Sequence, residues 1–292
     1  MTSARPAAPT SLVPLPRQIM TDAVERALEE DLGHAGDVTT TACIPANQNM
    51  RAEIRVRKPG VIAGIELVLE TFRQIDPTIN ILTPYKDGYF LESDQTILEI
   101  EGPARGILTG ERVALNFMGH LSGIATLTHQ FVQAIKHTQA RFTCTRKTTP
   151  GLRALEKYAV RCGGGSNHRF GLYDAVMIKD NHIAAAGGIQ KAIEQTRSTI
   201  PHTMKIEVEV DTLKQLGEAL EAGADVVLLD NMTTDDLKSA VTINNHRSIL
   251  EASGNVTLDT VCAIAETGVD VISSGWITHS APSLDVGLDV KS

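Results

Sequence analysis

The sequence predicts an α/β protein in two parts: an α+β first half, and a second half of repeated strand–helix units forming an incomplete α/β barrel. Three observations predict it. Six short β-rich runs in the second half are separated by helical segments, a rhythm that implies βα units and a parallel sheet. Each run delivers a charged or small polar residue at its C-terminal end. The first half has a different rhythm, short alternating segments around one helix.

In chain order, Met1 to Arg17 is rich in Pro, Ala, Ser and Thr and lacks acids. It has neither an apolar core nor a sustained amphipathic pattern, so residues 1–18 are expected to be a disordered leader rather than a targeting signal. Ile19 to Glu30 carries Ile19, Ala23, Val24, Ala27 and Leu28 at helical spacing, and Asp31-Leu32-Gly33 ends that helix. Met50 to Lys58 alternates as a strand with Ala52, Ile54 and Val56 on one face. Ile65 to Phe72 reads as a helix, Lys86-Asp87-Gly88 as a turn, and Ile97 to Ile100 as a short apolar run. A longer helical stretch, from about Gly110 to Lys136, bridges the halves.

The six runs then follow. Phe142 to Thr145 ends in Arg146-Lys147, and Ala175 to Ile178 in Lys179-Asp180. Ile206 to Glu209 carries Glu209 near its end, and Val226 to Leu229 ends in Asp230-Asn231. Ile249 to Glu251 leads into Ser253-Gly254-Asn255, and Val269 to Ser273 into Ser274-Gly275. In a barrel such ends converge on one mouth, whereas in an open sheet only strands near a switch point meet. Polar groups at all six ends favour the barrel. Six units fall short of the usual eight, so the barrel is incomplete or closed by something else.

Composition narrows the function. The formal net charge of −8 argues against general attraction to nucleic acid or an anionic membrane. No apolar stretch approaches the ~20 residues of a membrane span. Cys43, Cys144, Cys162 and Cys262 form no C-x-x-C pair or zinc spacing, so reduced thiols and a cytoplasmic location are expected. His168 and His182 lack an H-E-x-x-H context, and the usual glycine-rich phosphate loops are absent.

The chemistry lies at the mouth. Arg146, Lys147, His168, Arg169 and Lys179 form a basic set suited to a substrate with several carboxylates or phosphates. Glu209 and Asp230, from neighbouring runs, suit a magnesium ion that keeps most of its waters and bridges substrate phosphates. The Ser-Gly-Asn and Ser-Ser-Gly loops offer backbone N–H groups to a phosphate. Any one strand-end cation is ordinarily a solvated or ion-paired residue; the joint pattern at six ends carries the reading. It describes a polyanionic acid joined to a phosphorylated sugar with a metal-held leaving group.

Several stretches closely resemble the quinolinate phosphoribosyltransferases. They include Thr145 to Arg153, Lys157 to Val160, Cys162 to Leu172, Ile178-Lys179-Asp180-Asn181-His182, Glu207-Val208-Glu209-Val210, Leu229-Asp230-Asn231-Met232 and Glu251 to Val256. Upstream, Leu108 to Phe117, Leu121 to Thr126, Glu30 to Gly33 and Gly36 to Thr40 match too, in the family's order and spacing. Thr149, Ala252 and Ser273-Ser274 depart from the common pattern, and none is a charged site residue.

The resemblance implies an N-terminal α/β sandwich domain (19–118) and a six-to-seven-stranded incomplete α/β barrel (119–278), with the tail 279–292 returning to the first domain. It implies transfer of phosphoribosyl from phosphoribosyl pyrophosphate to quinolinate with decarboxylation, giving nicotinate mononucleotide for NAD biosynthesis. Mg2+ is the implied cofactor, held near Glu209 and Asp230 through water. The implied quinolinate contacts are Arg146, His168, Arg169 and Lys179, with Arg112 supplied by a second subunit of a homodimer or dimer-based hexamer. Lys147 falls between the two substrates, and Ser253, Gly254, Asn255, Ser274 and Gly275 match the phosphate loops. Lys147, Lys179, Glu209 and Asp230 are the implied catalytic set. A Schiff-base aldolase would explain a strand-end lysine but not the arginine wall with two acids. A transferase for another aromatic acid and a non-catalytic binding relative are the remaining alternatives.

Overall fold

A computed structural model describes residues 12–291. Its internal contacts divide the chain into two compact units. The first holds residues through His129, Thr149–Gly164 and the tail from Ser280; the second holds Gln130–Thr148 and Gly165–His279.

The first unit contains α1 (Arg17–Leu32), α2 (Val38–Cys43), β1 (Asn49–Val56), β2 (Gly60–Val61), α3 (Ile65–Ile75), β3 (Asn80–Leu82), β4 (Phe90–Leu91) and β5 (Thr96–Pro103). It continues with α4 (Ala104–Ile135), whose residues from Gln130 fall in the second unit, α5 (Arg153–Cys162) and β12 (Val286–Lys291). Four antiparallel strands run in the order β12-β1-β5-β3. Period-two alternation sends Ala52, Ile54 and Val56 into a core with Leu98 and Ile100 of β5, Val68 and Phe72 of α3, and Ala114 and Met118 of α4. Asp87, at the expected turn, is buried, and its Oδ1 accepts the Ile65 N–H at the start of α3 at 3.0 Å.

Two expectations are corrected here. Residues 1–11 of the expected leader lie outside the described residues, but Arg17 and Gln18 already belong to α1. The cut expected between 118 and 119 also moves, because residues through His129 and all of α5 join the first unit. Tyr158 of α5 donates to the Asp87 carboxylate at 2.8 Å, and Glu156 and Lys157 are fully buried.

The second unit contains β6 (Arg141–Thr143), β7 (Val176–Ile178), α6 (Asp180–Ala186), α7 (Ile189–Thr199), β8 (Ile206–Val210) and α8 (Leu213–Glu221). It ends with β9 (Val226–Asp230), α9 (Thr234–Asn244), β10 (Ile249–Ser253), α10 (Val261–Ala265), β11 (Val271–Ser273) and α11 (Trp276–His279). All six expected runs contain a strand. The strands pair in parallel in the order β6-β11-β10-β9-β8-β7. Sequence neighbours pair from β7 to β11, and β6 closes onto β11, so the sheet is open between β6 and β7. The backbone at Ser166 forms a single parallel bridge with Thr143 on that side. Val208, Val227, Leu229 and Leu250 are buried on one face of their strands. The alternate positions include the polar residues Glu207, Glu209, Asp230, Glu251 and Ser253, with apolar Leu228 among them. No described helix is long and apolar enough to cross a membrane.

Candidate active site

Residues from all six strands or the segments after them line one cavity of about 610 Å3. That volume suits a small-molecule pair, and shared lining by both terminal strands requires the sheet to curl. The lining contains Arg146, Lys147, His168, Arg169, Lys179, Glu209, Asp230, Ser253, Gly254 and Asn255, as expected from the strand ends.

The basic wall follows β6 and β7. Burial and the nearby Arg146 charge lower the Arg169 guanidinium's pKa from its ordinary value. Arg169 Nη1 donates to the Ala175 carbonyl at 3.1 Å. Arg146 Nε is buried and has no hydrogen-bond partner among the described residues. Two guanidiniums near each other, one with an unsatisfied donor, form an arrangement that a carboxylate completes.

Lys147 is anchored through its backbone: its N–H donates to Thr145 Oγ1 at 3.0 Å, and its carbonyl accepts from Thr278 Oγ1 at 2.6 Å. Its stem lies over Gly275, where a Cβ would come within 2.7 Å of Lys147 Cδ. A side chain at this position would displace the lysine stem. Lys179, just after β7, forms an ion pair with Glu209 of β8. Its backbone N–H donates to His182 Nδ1 at 2.9 Å, so His182 caps α6.

The loops after β9 and β10 are tied together. Asn231 and Asn255 have φ of 53° and 51°, and Gly254 has φ of 91°. Asn231 Nδ2 donates to Asp230 Oδ2 at 2.8 Å, while Asn255 Nδ2 donates to Asn231 Oδ1 at 3.2 Å. Glu209 and Asp230 thus stand at the ends of adjacent strands with an oxygen-only donor set, which fits a hard divalent cation that retains water ligands.

Three expected residues fall elsewhere. Arg112 is exposed on α4 and lines a different hollow, with Asn116, His120 and Asp285 in the first unit. Ser274 is buried, and its hydroxyl accepts the Trp276 N–H at 3.3 Å; Ser273, on the strand's inward face, lines the cavity instead. Gly275 serves beneath Lys147 rather than in the lining. Sequence reasoning also missed Glu207 and Glu251. Both are buried beside His168, whose Nε2 lies 3.1 Å from Glu207 Oε2 and 3.6 Å from Glu251 Oε1. Their signal was present in the runs: each lies two residues before an inward-facing strand-end residue, hence on the same face.

The N-terminal and C-terminal domain descriptions of the quinolinate phosphoribosyl transferase family match residues 37–122 and 124–289. The chain belongs to the quinolinate phosphoribosyltransferase family. The carboxylating nicotinate-nucleotide pyrophosphorylase of Mycobacterium leprae is 44% identical over 92% of this chain and 96% of its own. Among solved structures, NadC of Streptococcus pyogenes is 42% identical with a TM-score of 0.91, covering 96% of this chain and all of that one. The nicotinate-nucleotide pyrophosphorylase of Francisella tularensis is 40% identical with a TM-score of 0.92, covering 97% and 100%. This quinolinate phosphoribosyltransferase family member therefore shares both the antiparallel-sheet unit and the parallel six-stranded unit with its relatives.

Proposed function

We propose that the cavity joins quinolinate to phosphoribosyl pyrophosphate and releases carbon dioxide, giving nicotinate mononucleotide and pyrophosphate. The observation that carries this reading is the Arg146–Arg169 pair, with its repulsion and its unsatisfied Nε. A substrate with two carboxylates relieves both. Arg146 and Arg169 bind those carboxylates and turn the ring nitrogen toward the anomeric carbon of the sugar. The nitrogen lone pair forms the new bond as the bond from that carbon to pyrophosphate breaks. Glu209 and Asp230 stabilise the positive charge that develops on the sugar.

The ring is then cationic. The bond to the carboxylate next to nitrogen breaks, its electrons remain on the ring carbon beside the positive nitrogen, and carbon dioxide leaves. That carbon takes a proton, for which Lys147 and Lys179 are the cavity's lysine donors. Ser253, Gly254 and Asn255 receive the sugar phosphate. Mg2+, held by Glu209 and Asp230 through water, would supply charge neutralisation at the pyrophosphate.

Arg112 lies outside this chain's own cavity lining, which supports its entering the site of a second subunit in a homodimer or dimer-based hexamer. The four cysteines are free thiols, which suits a reducing compartment such as the cytoplasm. The test is incubation with quinolinate, phosphoribosyl pyrophosphate and Mg2+, with carbon dioxide and nicotinate mononucleotide measured together. Equal amounts of both, dependent on Mg2+ and absent with nicotinic acid, are expected. No turnover by folded protein would overturn the quinolinate assignment and redirect the search to other aromatic acids.

A further inference from the structure

Barrel interiors are ordinarily filled with branched apolar side chains. Here two glutamates occupy inward positions on β8 and β10, the strands that flank β9. Glu207 is 6% exposed and Glu251 4% exposed, so each has lost nearly all its water. Such burial is costly unless the groups are held by partners. Their shared partner is His168 Nε2, at 3.1 Å from Glu207 and 3.6 Å from Glu251.

The other ring nitrogen is also engaged: the backbone N–H of Arg169 donates to His168 Nδ1 at 2.8 Å. An accepting Nδ1 places the ring proton on Nε2 in the neutral form, where it points at the glutamates. Glu207 Oε1 lacks a hydrogen-bond partner among the described residues. Burial and the Glu207 charge raise the Glu251 carboxyl to about 7. The imidazole is thus set between a backbone N–H and two desolvated carboxyl groups, next in sequence to the Arg169 guanidinium.

We propose that Glu207 and Glu251 are positioning residues: together they grip His168 Nε2 and lock the imidazole, and with it the Arg169 end of the acid-binding wall. Neither touches the reacting atoms in this scheme. They act through His168, which lines the cavity. The inference rests on the reading of the cavity as a quinolinate site, but its structural half can be tested without substrate.

The experiment uses the full-length protein labelled with 15N-histidine, with the His168 signals assigned by their loss in His168→Ala. The wild-type protein at pH 8 is expected to show an unprotonated Nδ1 and a slowly exchanging Nε2 proton. An Nδ1–H tautomer, or a freely exchanging ring, overturns the proposal even if no enzyme activity is measured. In Glu207→Leu the ring should lose its fixed tautomer. The KM for quinolinate should rise at least tenfold, while that for phosphoribosyl pyrophosphate stays within twofold. Glu207→Gln, which keeps an acceptor oxygen, should restore most of the quinolinate affinity. An equal loss for both substrates, or an unchanged quinolinate KM in a folded Leu variant, would reject positioning. Should the Leu variant fail to fold, the wild-type tautomer still decides. Turnover failure with the expected tautomer would strike the substrate assignment and leave the grip standing.

Discussion

Replacing Gly254 by alanine tests whether the loops after β9 and β10 act as one unit. Gly254 has φ of 91°, and a Cβ there would lie 2.1 Å from Asn231 Oδ1. A left-handed backbone costs an alanine roughly 1–2 kcal/mol. The Asn231 side chain must also move, releasing its bonds to Asp230 at 2.8 Å and from Asn255 at 3.2 Å. Those bonds are exposed and water replaces them in part, so they add about 1 kcal/mol in total. The expected destabilisation is roughly 2–3 kcal/mol, or about 3–5 °C in Tm for a chain of this size. Freed from Asn231, Asp230 should hold phosphoribosyl pyrophosphate less well, raising its KM about tenfold, with a smaller effect on quinolinate. Urea unfolding and steady-state kinetics read the two effects. Gly217→Ala is the control: no atom lies within 4 Å of its Cβ, so it should be neutral or stabilising by about 0.5–1 kcal/mol. A Gly254→Ala protein with unchanged unfolding midpoint and unchanged KM values would refute the coupling.

Three other outcomes are expected. Arg146→Ala removes a desolvated carboxylate contact and should weaken quinolinate binding by roughly 2–4 kcal/mol, read by calorimetric titration; unchanged binding would remove Arg146 from the acid site. Mixing Arg112→Ala subunits with Lys179→Ala subunits should restore some activity, and no recovery in confirmed mixed dimers would count against shared sites. Glu70, bonded to Arg73, Gln74 and Thr21, has its carboxyl pKa lowered from 4.5 to about 2. The folded state then holds the proton less readily than the unfolded one, so this stability is present above pH ~4.5 and lost as pH falls toward 2. Allowing for the half-exposed Arg73, Glu70→Gln should remove about 1–2 kcal/mol at pH 7 and flatten the acid limb of the stability curve, measured by urea unfolding at several pH values.

The second unit was largely legible because parallel strands buried on one face read as short apolar runs, and because the chemistry lies at their ends. Lys179, Glu209 and Asp230 were found that way. Glu207 and Glu251 were not, since an acid inside a run reads as a solvent-facing residue until the sheet's curvature is known. A serine pair does not reveal in sequence which hydroxyl faces inward; the register of β11 against β10 and β6 puts Ser273 there rather than Ser274. In the first unit, Val38-Thr39-Thr40-Thr41 is β-branched and gives no helical signal, yet α2 forms with the Asp37 carboxylate accepting the Thr40 N–H at 2.8 Å. The pairing of β12 with β1 joins residues more than 200 positions apart, beyond any local periodicity. Only the family resemblance foresaw the returning tail.

The order of the strands also accounts for the separation of charge in the cavity. Arg146, Lys147 and Lys179 follow β6 and β7, which are the two ends of the sheet and flank its open side. Glu209, Asp230 and Glu251 lie on β8, β9 and β10, away from that opening. His168 and Arg169 come from the segment after Ser166, whose backbone bridges β6 on the same open side. The cations therefore border the gap, while the inner strands carry the acids. Closing the sheet by pairing β6 with β7 would remove the space in which this segment lies and bring cationic strand ends together without the intervening His168–Arg169 stretch. Repulsion between Arg146 and Arg169 disfavours drawing that side together. In the proposed reaction this division of charge assigns the aromatic acid to the cationic side that borders the gap and the phosphorylated sugar to the side of β9 and β10.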